Sequence, residues 1–210
     1  IKSSLTLDCV HSGITFGSSG GTTILDTSAA LSLTSGFAGE LKMNNVEQHN
    51  TTAMSISMTT NTASGNNTIF KPGTGCIFNG SFNFYGLRLQ LNGATYNSSA
   101  RFTRYSPYDD ASAGANVFNG ITTILDSVVN HSHNFTMANT ADDDYNGNVT
   151  FIQKGSGSQV STVKIYPAYT KNSTFSGNII VDGSSAIEFG ANGGKVIVDG
   201  NANQTLSKTG

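Results

Sequence analysis

The chain has 210 residues, of which 37% are hydrophobic and only 11% charged, with 24 glycines, 3 prolines, 2 cysteines and no tryptophan. A formal net charge of −2 gives no electrostatic basis for binding nucleic acid or an anionic membrane surface. No apolar run approaches the roughly 18 residues of a membrane span, and the low charge argues against a disordered chain held open by self-repulsion.

The chain opens at Ile1-Lys2-Ser3-Ser4 with no initiator Met, basic region or apolar stretch, so a mature or excised piece is expected, with its targeting signals elsewhere. From there the predicted elements are strands. Met54-Ser55-Ile56-Ser57-Met58, Leu87-Arg88-Leu89-Gln90-Leu91, Val163-Lys164-Ile165 and Ile187-Glu188-Phe189 alternate apolar and polar residues. That period puts one set of side chains on a buried face and the other in solvent. No window of eleven residues sustains a helical period. Asn79-Gly80, Asn92-Gly93, Asn119-Gly120, Asn146-Gly147, Asp182-Gly183, Asn192-Gly193 and Asp199-Gly200 stand between the strands. They are expected to form corners, because these residues tolerate positive φ. Nine Asn-x-Ser/Thr triplets are read as a consequence of composition rather than as glycosylation sites, and Cys9 and Cys76 as small apolar residues.

The two ends of the chain match. Ile14–Asp26 and Ile187–Asp199 are identical at seven of thirteen positions at a constant offset of 173. The likeness continues loosely from 31–36 into 205–210. Self-similarity at a fixed period is the mark of a repeat array. Residues 1–36 therefore read as the end of a preceding unit and 37–210 as one unit of about 173 residues, continuous with it. A finer pattern lies inside: an aromatic residue, a small or polar one, then glycine, at Phe37, Phe78, Phe118, Tyr145 and Phe175, spaced 41, 40, 27 and 30 residues apart. Thr122–Asp126 also repeats Thr22–Asp26 residue for residue.

Two all-β architectures fit: a parallel β-helix (β-solenoid) winding one coil per fine repeat, and tandem antiparallel β-sandwiches in which the Asn-Gly pairs close hairpins. Most of the turns have an alternating run on one side only, which favours the solenoid.

Tyr145-Asn146-Gly147-Asn148-Val149-Thr150-Phe151, Lys164–Tyr169, Phe175–Ile179 and Ile187–Gly190 together give the chain a further likeness. It resembles the tandem repeats of giant cell-surface proteins of gliding and predatory Bacteroidetes, which leave the cell by the type IX route. The resemblance covers the last hundred residues well and the first hundred loosely. It implies an extended β-rich array with an adhesive or filament-forming role at the cell surface, and it brings no catalytic residues.

Candidate chemistry is sparse. Gly17-Ser18-Ser19-Gly20-Gly21 has the form of a nucleophile elbow, but a strand-like run follows it and the matched copy has Asn192 in place of Ser19. His131-Ser132-His133 would place two imidazoles on one strand face, without a third ligand nearby in sequence. Asp142-Asp143-Asp144 is the densest acidic run, either a solvated corner or a structural Ca²⁺ site; no other cofactor is called for. Arg101–Asp110 packs three aromatics, two arginines and two aspartates into ten residues. Arg101, Tyr105, Tyr108 and Asp109 are its candidates for binding a cell-surface glycan, by ring stacking and bidentate hydrogen bonds. A contact with another chain and plain loop packing are the competing readings.

These features lead to an expected non-enzymatic structural repeat of a long extracellular filament or adhesin. Its partners would be neighbouring repeats of the same chain and further copies associating into a fibre. A carbohydrate-binding adhesin module is the alternative. A glycan-degrading β-helix enzyme is disfavoured, because 24 charged residues scattered over the chain supply no convergent acids and bases.

Overall fold

The computed structural model describes residues 1–3, 5–9, 12–17, 20–26, 31–60, 68–127, 133–154, 162–165, 171–182, 187–190 and 194–209. Among them are 25 strands and no helix, hence no helix long and apolar enough to cross a membrane. Every strand pairing is parallel, and each paired strand lies against the strand three places further along the chain. The chain therefore coils with three strands per turn, as a three-faced parallel β-solenoid; hairpins, and with them the antiparallel sandwich, are absent from the described residues.

Each face is a stack of strands in register. On the first face the pairing runs Met54↔Phe82↔Ala100↔Thr122↔Val149↔Ile179. One coil takes as few as 18 residues, from Phe82 to Ala100, and as many as 30, from Val149 to Ile179. The corners absorb that variation while the strands stay aligned.

Alternation decides what fills the interior. Phe82, Phe84, Phe102, Ile124 and Phe151 point inward from the first face and are buried. From the third face, Phe78, Tyr96, Phe118, Tyr145 and Phe175 form a near-parallel stack of rings, with successive centroids 5.3, 5.3, 4.9 and 4.5 Å apart. Like aromatics meet because parallel registered strands put equivalent side chains one strand spacing apart, about 4.8 Å, and stacked pairs of this kind add roughly 0.5–1.5 kcal/mol each beyond area burial. The stack also corrects the expected spacing. The 40-residue interval between Phe78 and Phe118 contains two coils, because Tyr96-Asn97-Ser98 occupies the corner with serine in place of glycine. Phe37 belongs to a different corner, ahead of the second-face strand Glu40–Met43; Gln48 takes the position one coil before Phe78.

The segments that match at an offset of 173 occupy equivalent places. Ile14–Phe16 and Ile187–Phe189 are both second-face strands, and Thr23–Leu25 and Lys195–Val198 are both third-face strands, seven coils apart. Gly17 and Gly190 share a left-handed backbone, with φ of 69° and 76°. The identical pentapeptides Thr22–Asp26 and Thr122–Asp126, by contrast, lie on different faces in opposite phase. Leu25 points inward and Ile24 outward in one, whereas Ile124 and Asp126 point inward in the other.

At Asn92-Gly93 the glycine has the positive φ expected, 100°; five other corner glycines serve a different purpose. Gly80, Gly120, Gly147, Gly177 and Gly200 do not have positive φ. Instead, a Cβ at any of them would lie 2.5 Å or less from a backbone atom of the coil beneath. Beside them the exposed asparagines form a chain of amides: Asn97 Nδ2 donates to Asn79 Oδ1 at 2.6 Å, Asn119 to Asn97 at 2.7 Å and Asn146 to Asn119 at 2.7 Å. Gly147→Ala is therefore expected to force two coils apart and cost about 1–3 kcal/mol. Gly21→Ala, with nothing within 4 Å, should leave thermal unfolding, followed by circular dichroism, unchanged.

Candidate functional site

The second face is interrupted once in the middle of the chain. Arg88–Leu89 and Asp110–Ala111 are successive strands on it, yet they do not pair. Side chains of the next coil supply the missing acceptors. Leu89 N–H donates to Asp110 Oδ2 at 3.4 Å, Leu91 N–H to Ser112 Oγ at 2.9 Å, and Gly93 and Ala94 N–H to Asn116 Oδ1 at 3.0 and 3.1 Å. A buried amide without a partner costs about 1–3 kcal/mol, so these polar side chains preserve the coil where the backbone ladder fails.

Carboxylates brought inside this way need counter-charge, and Arg104 provides it. Alternation along Ala100–Arg104 turns Arg104 inward, and register sets it against Asp126. Its guanidinium is wholly buried. Nε donates to Asp110 Oδ2 at 2.7 Å, Nη1 to Asp126 Oδ1 at 2.8 Å and Nη2 to the Tyr108 carbonyl, while its carbon lies 5.3 Å from the Phe135 ring centre. Arg88 Nε approaches the same cluster from the rim, 2.8 Å from Asp110 Oδ1. Burial pushes the Asp126 carboxyl up to about 6 even though Arg104 pulls it down.

The residues singled out from the sequence separate accordingly. Arg101 is exposed on the outer side of the first face. Tyr105 rests against Tyr85, centroids 5.1 Å apart. Tyr108 lies around the corner beneath Arg88, at 6.0 Å, and Asp109 Oδ1 accepts the Asn134 N–H at 2.6 Å. Arg101 and Tyr105 thus share a face; Tyr108 and Asp109 belong to another. Tyr85 was not singled out, although its outward place after Phe84 in an alternating run could have marked it. Ser18, Ser19, His131 and Asn192 lie outside the described residues; His133 is buried, with Nε2 4.0 Å from Asp126 Oδ2.

The acidic run divides too. Asp143 points into the coil and is completely buried, its Oδ1 accepting the Asn116 backbone N–H at 2.9 Å and the Asn116 Nδ2 at 2.8 Å. Its own N–H donates to Ser173 Oγ at 3.0 Å. Asp142 and Asp144 are partly exposed, and Asp144 Oδ1 accepts the Thr174 hydroxyl. Among the described residues no three His, Cys, Asp or Glu side chains converge in a geometry suited to a metal. Burial raises the Asp143 carboxyl to about 7 against the opposing Asn116 hydrogen bonds, and burial together with Asp143 raises the Tyr145 hydroxyl well above its ordinary value. Cys76 is buried among apolar neighbours, and no disulfide joins it to Cys9.

Comparison with known proteins finds no matching family model, no matching curated protein and no matching solved structure.

Two outcomes follow from the buried charges. Arg104→Met leaves Asp110 and Asp126 without their shared cation, so a loss of about 3–5 kcal/mol is expected, smaller at pH 5 than at pH 8 because Asp126 can take up a proton. Asp143 has a folded value of about 7, above the roughly 3.9 of an unfolded Asp. The folded state therefore holds the proton more tightly, and this group's contribution to stability declines as pH rises from about 4 to about 7. Asp143→Asn should raise the melting temperature at pH 8 by about 5 °C or more and flatten its dependence between pH 5 and pH 8.

Proposed function

We propose that this chain is a non-enzymatic structural repeat of a long extracellular surface filament or adhesin, giving reach and stiffness. The observation that carries the reading is that the segments matching at an offset of 173 are equivalent strands seven coils apart, as successive repeats of one solenoid are. Phe189, Val198 and Leu206 are 37%, 56% and 69% exposed, although their positions point along the solenoid interior. Seven coils earlier the matching Leu25 is 0% exposed, covered by the coil that contains Glu40–Gln48. The coil that contains Leu206 thus has the apolar surface and strand edges that a following coil covers elsewhere in the solenoid, whether that coil comes from the next repeat or from another copy.

A contact from one end to the other is heterologous and does not close, so it propagates as a filament. Hydrogen bonds between coils run along the axis, and the stacked rings lie between the same coils, so load along the fibre falls on both. The outer surface of Ser, Thr and Asn keeps such a fibre hydrated without net charge.

Electron microscopy and sedimentation test the reading. Linear assemblies that lengthen with concentration, and that dissolve in the Val198→Lys/Leu206→Lys double variant, are the expected result. A monodisperse monomer over the whole accessible concentration range, with no filament seen, would overturn it.

A further inference from the structure

The outer side of the first face carries a feature that filament formation does not use. Ser55, Asn83, Arg101 and Thr123 stand in one registered row across four adjacent strands. With Ser81, Ser99 and Ile121 at the neighbouring corner they line a shallow groove of about 470 Å³. Asn83 Nδ2 donates to Ser55 Oγ at 3.2 Å; Ala53, Met54, Phe82, Ala100 and the 62%-exposed Ile121 complete the lining, so that the polar row is joined to an apolar rim. Tyr85, two residues beyond Asn83 on its strand, forms a ring pair with Tyr105, which follows the end of the strand that carries Arg101; Tyr85 is 47% exposed.

Arg101 is the cation of this row, and its situation differs from that of the other two arginines. Arg88 and Arg104 both bind Asp110. Arg101 makes no ion pair among the described residues, and its registered neighbours Asn83 and Thr123 carry no charge. An exposed guanidinium with five donors in a planar fork is matched to a carboxylate. The hydroxyl and amide row matches a ligand that is itself rich in hydroxyls, and a ring pair offers a flat apolar surface to the C–H face of a pyranose. The row repeats at the strand spacing of about 4.8 Å, close to the length of one sugar unit, so a polymer lying along the axis meets an equivalent position on each coil.

We infer that this face binds a carboxylated glycan, a chain of uronic-acid type, with Arg101 engaging the carboxylate, Asn83 and the row of hydroxyls engaging sugar hydroxyls, and Tyr85 and Tyr105 supplying the stacking surface. Tyr108 and Asp109 take no part, because they face a different side and are engaged with Arg88 and Asn134.

The probe is an oligogalacturonate, offered as the free acid and as its methyl ester, with binding followed by calorimetry and by NMR on the dispersed Val198→Lys/Leu206→Lys protein. Saturable binding of the acid, lost on esterification, is expected. Arg101→Gln should weaken it about tenfold or more, Arg101→Lys should restore part of that, Tyr85→Ala should weaken it, and Tyr108→Ala should leave it unchanged. Equal binding of acid and ester, indifference to Arg101→Gln, or absence of binding at millimolar oligomer would overturn the site. None of these outcomes bears on filament formation, which depends on the coil ends and is read separately.

Discussion

The structure depends on one constraint: wherever the described strands pair, each coil lies a strand spacing from the next and in parallel register. Parallel pairing at that distance places like residues over like residues, and the interior is organised by what can be stacked. Flat rings can, which is why Phe78, Tyr96, Phe118, Tyr145 and Phe175 succeed one another on a single face. Side-chain amides can, each donating to the one below, as in the exposed asparagines beside those rings. Bulk at the tightest corners cannot, and glycine occupies them for want of space rather than for its backbone freedom.

The same constraint explains where the fold becomes polar inside. The shortest coil, 18 residues from Phe82 to Ala100, directly precedes the unpaired step on the second face. With the backbone ladder interrupted there, Asp110, Ser112 and Asn116 reach across to the amides left open. A carboxylate placed inside for that purpose requires a cation, and the registered position of Arg104 delivers one. Such clusters need not stabilise a fold relative to apolar packing. Here Asp110 serves as acceptor for a backbone amide that an apolar side chain could not satisfy, and Arg104 binds it together with Asp126.

Much of the fold was legible in the sequence, because alternation and repetition are properties of single residues at fixed spacing. The strand at Met54–Met58 and the corner at Asn146-Gly147 could be read directly. The coil containing Tyr96 escaped because its corner has Ser98 where Phe78, Phe118, Tyr145 and Phe175 are followed two residues on by glycine. The inward charges escaped for a different reason. Arg104 and Asp126 end alternating runs of the same length, and only laying those runs side by side shows that they meet. The Asp142–Asp144 run divides for the same reason, since alternation turns Asp143 into the coil and leaves Asp142 and Asp144 partly exposed.

The distribution of charge has a consequence for recognition. The chain has only 24 charged residues, and Arg104, Asp110, Asp126 and Asp143 are buried. The exterior is left nearly neutral, without a field that would steer a charged partner over distance. Recognition on this surface must therefore be short-ranged, built from hydroxyls, amides and exposed rings in contact with the ligand. A guanidinium whose registered neighbours are uncharged meets no competing charge within its own row. Arg101 holds that position on the first face, in one registered row with Ser55, Asn83 and Thr123.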